Sequence, residues 1–111
     1  MLSSHELSKN ALLLEEIERR GGGYVWEAEV FAVHFMDRPI QQNEVTLLTG
    51  LAGVREIYIE ASEIGYAELR ALACIPGIEH LGIARWEPVD KEYEELSACC
   101  NGIRLIPDSE L

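Results

Sequence analysis

The chain is 111 residues long and carries 20 acidic against 9 basic side chains, a net charge of −11, beside a hydrophobic share of 48%. A single domain is expected at this length, burying roughly two-thirds of the surface its unfolded form exposes, and the apolar content excludes the highly charged chains that stay disordered. Nucleic-acid phosphate and anionic membrane are excluded as partners, because both call for a basic surface and this one repels them; a basic protein or peptide suits it better.

Residues 1–20 interrupt every apolar run with His5, Glu6, Lys9, Glu15, Glu16, Glu18, Arg19 and Arg20, so no signal-peptide core is expected. No segment approaches the ~20 apolar residues that span a bilayer. Cys74, Cys99 and Cys100 are odd in number and form no spaced framework. They read as reduced thiols of a cytoplasmic protein.

In chain order, Ser3 and Glu6 have capping-box spacing at the start of a helix whose face carries Leu7, Ala11, Leu14 and Glu18, with Leu13 and Ile17 beside it. Gly21-Gly22-Gly23 stops that helix. Tyr24 to Phe35 follows as a β-prone stretch rich in aromatic and branched residues.

From Val30 the chain repeats itself. Val30, Val33 and Phe35 start one unit, Val54, Ile57 and Ile59 the next, and Ile78, Leu81 and Ile83 a third, each 24 residues after the last. A truncated fourth, Ile103 to Ile106, starts 25 residues later and is stopped by Pro107. Each short strand precedes a helical face: Val45, Leu48 and Leu51; Leu69, Leu72 and Ile75; Tyr93, Leu96 and Cys99. A strand and helix of this size cannot bury both faces alone, so the units are expected to stack into a parallel sheet with a row of helices on one side. A right-handed coil is the expected hand.

These residues, over 30–106, resemble the leucine-rich repeats of about 24 residues, with Val54-x-x-Ile57-x-Ile59, Ile64, Glu68-Leu69-x-x-Leu72-x-x-Ile75 as the best unit. The resemblance implies an α/β right-handed leucine-rich-repeat solenoid, with a concave parallel sheet and convex helices. Residues 1–29 would form an N-terminal capping helix and lead-in, 30–53, 54–77 and 78–102 the full repeats, 103–106 the truncated one, and 107–111 a tail. The position after each strand, where that family usually carries asparagine or cysteine, holds Arg38, Ser62 and Trp86, which implies looser turns.

Between the apolar positions, residues of adjacent strands should form outward columns ~4.8 Å apart. Phe31, Arg55, Glu79 and Arg104 make one, with alternating charge from Arg55 onward; Ala32, Glu56, His80 and Leu105 make the next. His34, Tyr58 and Gly82 follow, then Met36, Glu60 and Ala84, with Gly82 expected to leave a hollow beside Tyr58. Exposed aromatics with a methionine and an arginine nearby are what protein interfaces favour, so Phe31, His34, Arg55, Tyr58, Glu79 and His80 are the candidate partner-binding residues.

No Gly-x-Ser-x-Gly elbow is present, and no Cys lies near a His within one repeat. His34 and His80 belong to the first and third strands, too far apart to share a metal. No catalytic residue, metal or cofactor is therefore expected. Cys99 falls where Leu51 and Ile75 fall and is expected in the core, with Cys74 and Cys100 flanking it. Residues 78–101 hold the heaviest acid, with Asp90 expected to cap the last helix and the remaining carboxylates free to steer a basic partner. The expectation is a monomeric, non-catalytic protein-interaction module with its partner on the concave sheet. The alternative is an acidic immunity protein or inhibitor that neutralises a basic toxin or enzyme.

Overall fold

The computed structural model describes residues 2–110. It is an α/β fold in which helix α1 (Ser4–Arg19) and strand β1 (Gly23–Trp26) lead into β2 (Phe31–Phe35). From there strands and helices alternate: α2 (Gln42–Thr49), β3 (Glu56–Glu60), α3 (Tyr66–Ala73), β4 (His80–Ala84), α4 (Glu92–Cys99) and β5 (Ile103–Ile106). The five strands form one sheet in the order β1-β2-β3-β4-β5, antiparallel between β1 and β2 and parallel thereafter. The helices line up in the same order, α1 against α2, α2 against α3 and α3 against α4.

The start of α1 follows its sequence. Glu6 N–H donates to Ser3 Oγ at 3.1 Å and Ser3 N–H to Glu6 Oε1 at 2.9 Å, the reciprocal capping box. At the other end Gly21 takes a φ of +94° that turns the chain away, which glycine adopts without a Cβ clash. Leu14 and Ile17 of α1 enter the core, and buried Asn10 pairs with a backbone amide. Its Oδ1 accepts from Ala52 N–H and its Nδ2 donates to Ala52 C=O, both at 2.8 Å. This helix therefore sits at the end of the helix row, beside α2.

The β-prone stretch is a hairpin rather than one strand. Glu27 N–H donates to Val30 O at 2.8 Å and Val30 N–H to Glu27 O at 3.3 Å, closing a turn over Ala28-Glu29. That dipeptide lacks the glycine or asparagine that marks most two-residue hairpins. Val30, expected inside, lies in this turn and is exposed, and Phe31, expected outside, is buried. The reason is local alternation. Strand β2 begins at Phe31, so Phe31, Val33 and Phe35 share the inward face, and Trp26 of β1 stacks on Phe31 at 5.4 Å between ring centroids.

Parallel register keeps the 24-residue step: Val33 pairs with Ile57 and Ile57 with Leu81. Those residues, with Phe35, Ile59, Ile83 and Ile103, pack against Val45, Leu48, Leu69, Leu72 and Leu96 of the helices in one core. Strand β5 departs from the step. Ile103 pairs with Leu81 rather than Ile78, and Arg104 with Gly82 rather than standing beyond Glu79. The chain skips the lead-in that precedes β3 and β4, because Gly102 lies directly against the Glu79 carbonyl. Leu105 accordingly pairs with Ile83, on the inward side, and stays exposed at the last strand.

The extra residue before β5 is taken up in the last turn of α4. Cys100 N–H bonds Leu96 O at 2.9 Å, four residues back, whereas Ile75 N–H bonds Leu72 O at 3.2 Å, three back. Cys100 therefore takes the place of Ile75 in the core, and Cys99, expected there, is exposed. Asp90 does not cap α4 through its side chain: it adopts a φ of +52°, and Lys91 is the capping residue.

Candidate binding surface

Strand alternation puts Val25, Ala32, His34, Glu56, Tyr58, His80, Gly82, Arg104 and Ile106 on the sheet face opposite the helices. His34, His80 and Arg104 are exposed there, and Tyr58 is half-buried. In register, His34, Tyr58, Gly82 and Arg104 form one row across four strands, and Ala32, Glu56 and His80 form the next.

The rings are laid over glycines. A Cβ on Gly82 would stand 2.6 Å from Tyr58 Cδ1 and 3.0 Å from Ile106 Cδ1, so the Tyr58 ring and Ile106 fill the space that the sequence suggested would be hollow. A Cβ on Gly23 would stand 2.5 Å from His34 Nε2, so His34 lies across β1. The two neighbouring rings thus lean in opposite directions, each supported by a strand without side chains at the contact. The Tyr58 hydroxyl donates to Glu56 Oε1. That hydrogen bond, with burial and the Glu56 charge, pushes the phenol up to about 12. Arg104 sends Nη2 to both carboxylate oxygens of Glu110 at 2.7 Å.

The other candidates lie elsewhere. Arg55 and Glu79 precede their strands and approach at 3.9 Å, both more than half exposed, which is a weak pair. Glu79 has no Arg104 beside it. Phe31 and Arg55 line a cleft of about 680 Å³ at the amino ends of the strands, with Leu2, Leu7, Trp26 and Val30 supplying its apolar wall. Of the six candidates, then, His34, Tyr58 and His80 share the outer face, while Phe31, Arg55 and Glu79 belong to the strand-end rim. Sequence reasoning missed Val25, because β1 was hidden in the hairpin, and misplaced Arg104 by its register. The inward burial of Ile103 is the signal that fixes Arg104.

The residues after the strands serve the turns. Arg38 donates from Nε to Arg20 O at 2.9 Å, at the end of α1, and from Nη1 to Pro39 O and Glu44 Oε1, each at 3.1 Å. Glu44 is buried and also accepts from Gln41 N–H at 2.9 Å, while Arg20 approaches at 3.8 Å. Burial would raise the Glu44 carboxyl, but the Arg38 and Gln41 hydrogen bonds and the two guanidinium charges outweigh it and hold it below the usual range. Ser62 donates both its N–H, at 3.1 Å, and its hydroxyl, at 2.9 Å, to buried Glu60.

At the far end of the helix row, Glu87, Glu94 and Glu95 are exposed around α4, and Tyr66 of α3 donates its hydroxyl to Glu95 at 2.7 Å. Among the described residues no three His, Cys, Asp or Glu side chains gather as a metal site, and no helix is long and apolar enough to cross a membrane. Comparison with family models, curated proteins and solved structures finds no match for the chain.

Proposed function

We propose that the chain is a non-catalytic protein-interaction module, built as a short leucine-rich-repeat solenoid that takes its partner on the outer, concave face of the sheet. The row His34, Tyr58 and Arg104, on the sheet face opposite α1 to α4, carries this reading, and the short 3-10 turn Asp108–Glu110 holds Arg104 at its β5 end. The 24-residue step of the parallel register supports the repeat assignment. The row is aromatic at its centre and ends in Arg104 on β5, with Glu56 beside it and Val25 and Ile106 at its margins, a composition that protein interfaces favour. Such a module works as a monomer in the cytoplasm, whose thiol pool holds its cysteines reduced at rest.

A photo-crosslinking residue at Ala32 should capture a partner protein from a lysate of the source cell. The triple variant His34→Ala, Tyr58→Ala and Arg104→Ala should capture about tenfold less or lower still, since anchor residues dominate such interfaces. Undiminished capture by a folded variant overturns the reading. A second reading, an inhibitor of a basic toxin or enzyme, is favoured by the exposed acids of α4 and its flank. In that case a photo-crosslinking residue at Glu94 captures the partner where one at Ala32 does not, and Glu87→Lys abolishes that capture.

A further inference from the structure

The last turns of α3 and α4 bring two thiols together. Cys74 follows the final residue of α3 and Cys99 ends α4, 25 residues apart in the chain. Both are exposed, and the Cys74 S–H donates to Cys99 Sγ at 3.0 Å. A disulfide joins its sulfurs at about 2.05 Å, so about one ångström of closure by two surface side chains makes the bond. Cys100, the remaining thiol, faces the core and is buried. The pairing is thus selective by position.

We propose that Cys74 and Cys99 are a reversible oxidation site, which a hydroperoxide converts to a disulfide that staples α3 to α4. The chemistry closes with one peroxide and no other reactant. The Cys99 thiolate attacks a peroxide oxygen, the O–O bond breaks, and the departing hydroxide takes a proton to leave as water, so Cys99 becomes a sulfenic acid. Cys74 gives up its proton and attacks that sulfur; the S–S bond forms, the S–O bond breaks, and the second hydroxide leaves with the proton as water. Two thiols lose two electrons, and the peroxide gains them. A small thiol such as glutathione reverses the bond by exchange.

The surroundings fit this order of events. The Cys74 thiol is held above its usual range first by its hydrogen bond to Cys99, then by burial and the Cys99 charge, against the pull of Arg70. Cys74 therefore keeps its proton while Cys99 attacks. Helix α4 is also lightly held, with Leu96 its one buried side chain and Tyr93 exposed. A bond at its last turn, opposite the Tyr66 to Glu95 contact at its first, fixes both ends on α3.

Titrating the full chain with hydrogen peroxide, then blocking free thiols and digesting without reductant, tests this. Mass spectrometry should find a Cys74–Cys99 linked peptide about 2 Da lighter than its reduced halves, removed by dithiothreitol. Cys100→Ala should leave that peptide intact, and the oxidised chain should melt roughly 10 °C higher than the reduced one. In Cys74→Ser, a sulfenic acid at Cys99 should persist long enough for dimedone to trap it. Linkage of Cys99 to Cys100, intermolecular dimers in place of the internal bond, or independent oxidation of both thiols to sulfinic acids would each overturn the proposal.

Discussion

Burial and pairing oppose each other at Glu44. The carboxylate is nearly inaccessible, yet Arg38 and the Gln41 amide bond it and Arg20 stands nearby, so its folded value lies below the unfolded one of about 4.3. A depressed carboxyl contributes stability that is complete above its unfolded value and disappears as pH falls through the folded one. Glu44→Gln should therefore lower stability by about 2 kcal/mol at pH 7, and urea midpoints should show the variant and parent converging as pH falls below the unfolded carboxyl value of about 4.3. Parallel curves would remove Glu44 from the acid response. Gly102 sets a harder limit, because a Cβ there would lie 2.0 Å from the carbonyl oxygen of Glu79, whose own N–H is bonded to Arg55 O at 2.7 Å. Gly102→Ala should cost at least about 3 kcal/mol by denaturant titration. Gly82→Ala should cost less, since the Tyr58 ring can swing away, and fluorescence or NMR of Tyr58 should report its displacement.

At the level of elements, α1 is anchored by one amide. Replacing Asn10 by Ala leaves Ala52 N–H and C=O without their partners beneath the helix, and the expected loss is about 2 to 4 kcal/mol in a urea melt. A loss below about 0.5 kcal/mol would show that Leu14, Ile17 and the Arg38 bond to Arg20 O hold the helix without it. Here the sequence was readable only in part. Helices α2 and α3 and strands β3 and β4 follow from apolar spacing, because each buries the face its periodicity marks, whereas α4 buries only Leu96 of Tyr93, Leu96 and Cys99, and β2 buries Phe31 in place of Val30. The Ser3 and Glu6 spacing likewise marks the start of α1. Strand β1 was not readable, since Ala28-Glu29 carries no turn signature. The fate of Cys99 and Cys100 depended on whether a helix closes on a bond three or four residues back, which composition does not encode. On the outer face, His34, Tyr58 and His80 were readable from alternation. Phe31 was not, because its strand starts one residue earlier than those of Arg55 and Glu79.

For the molecule as a whole, acidity is the largest unbalanced quantity. A net charge of −11 on 111 residues repels itself in the compact state, and the ion pairs on α1, Glu15 and Glu16 with Arg19, are exposed enough to contribute little. Raising sodium chloride from about 20 to 500 mM should therefore raise the melting temperature by a few degrees. A fall would mean that attractive surface pairs outweigh the repulsion. The sheet's last strand, β5, has Pro107 immediately after it and Arg104 within it, both unfavourable to further strand addition, so light scattering should give a monomer.

That the strands lie in the sheet in the order in which they occur in the chain bears on how the molecule folds. Each strand pairs only with its sequence neighbours in the sheet. With only neighbouring strands paired, stability passes along the sheet by nearest-neighbour coupling. The β1–β2 hairpin and its helix are the natural starting point, with growth toward β5. Native-state amide exchange should then run as a gradient, slowest at β2 and β3 and fastest at α4 and β5, and oxidation of Cys74 and Cys99 should flatten its fast end.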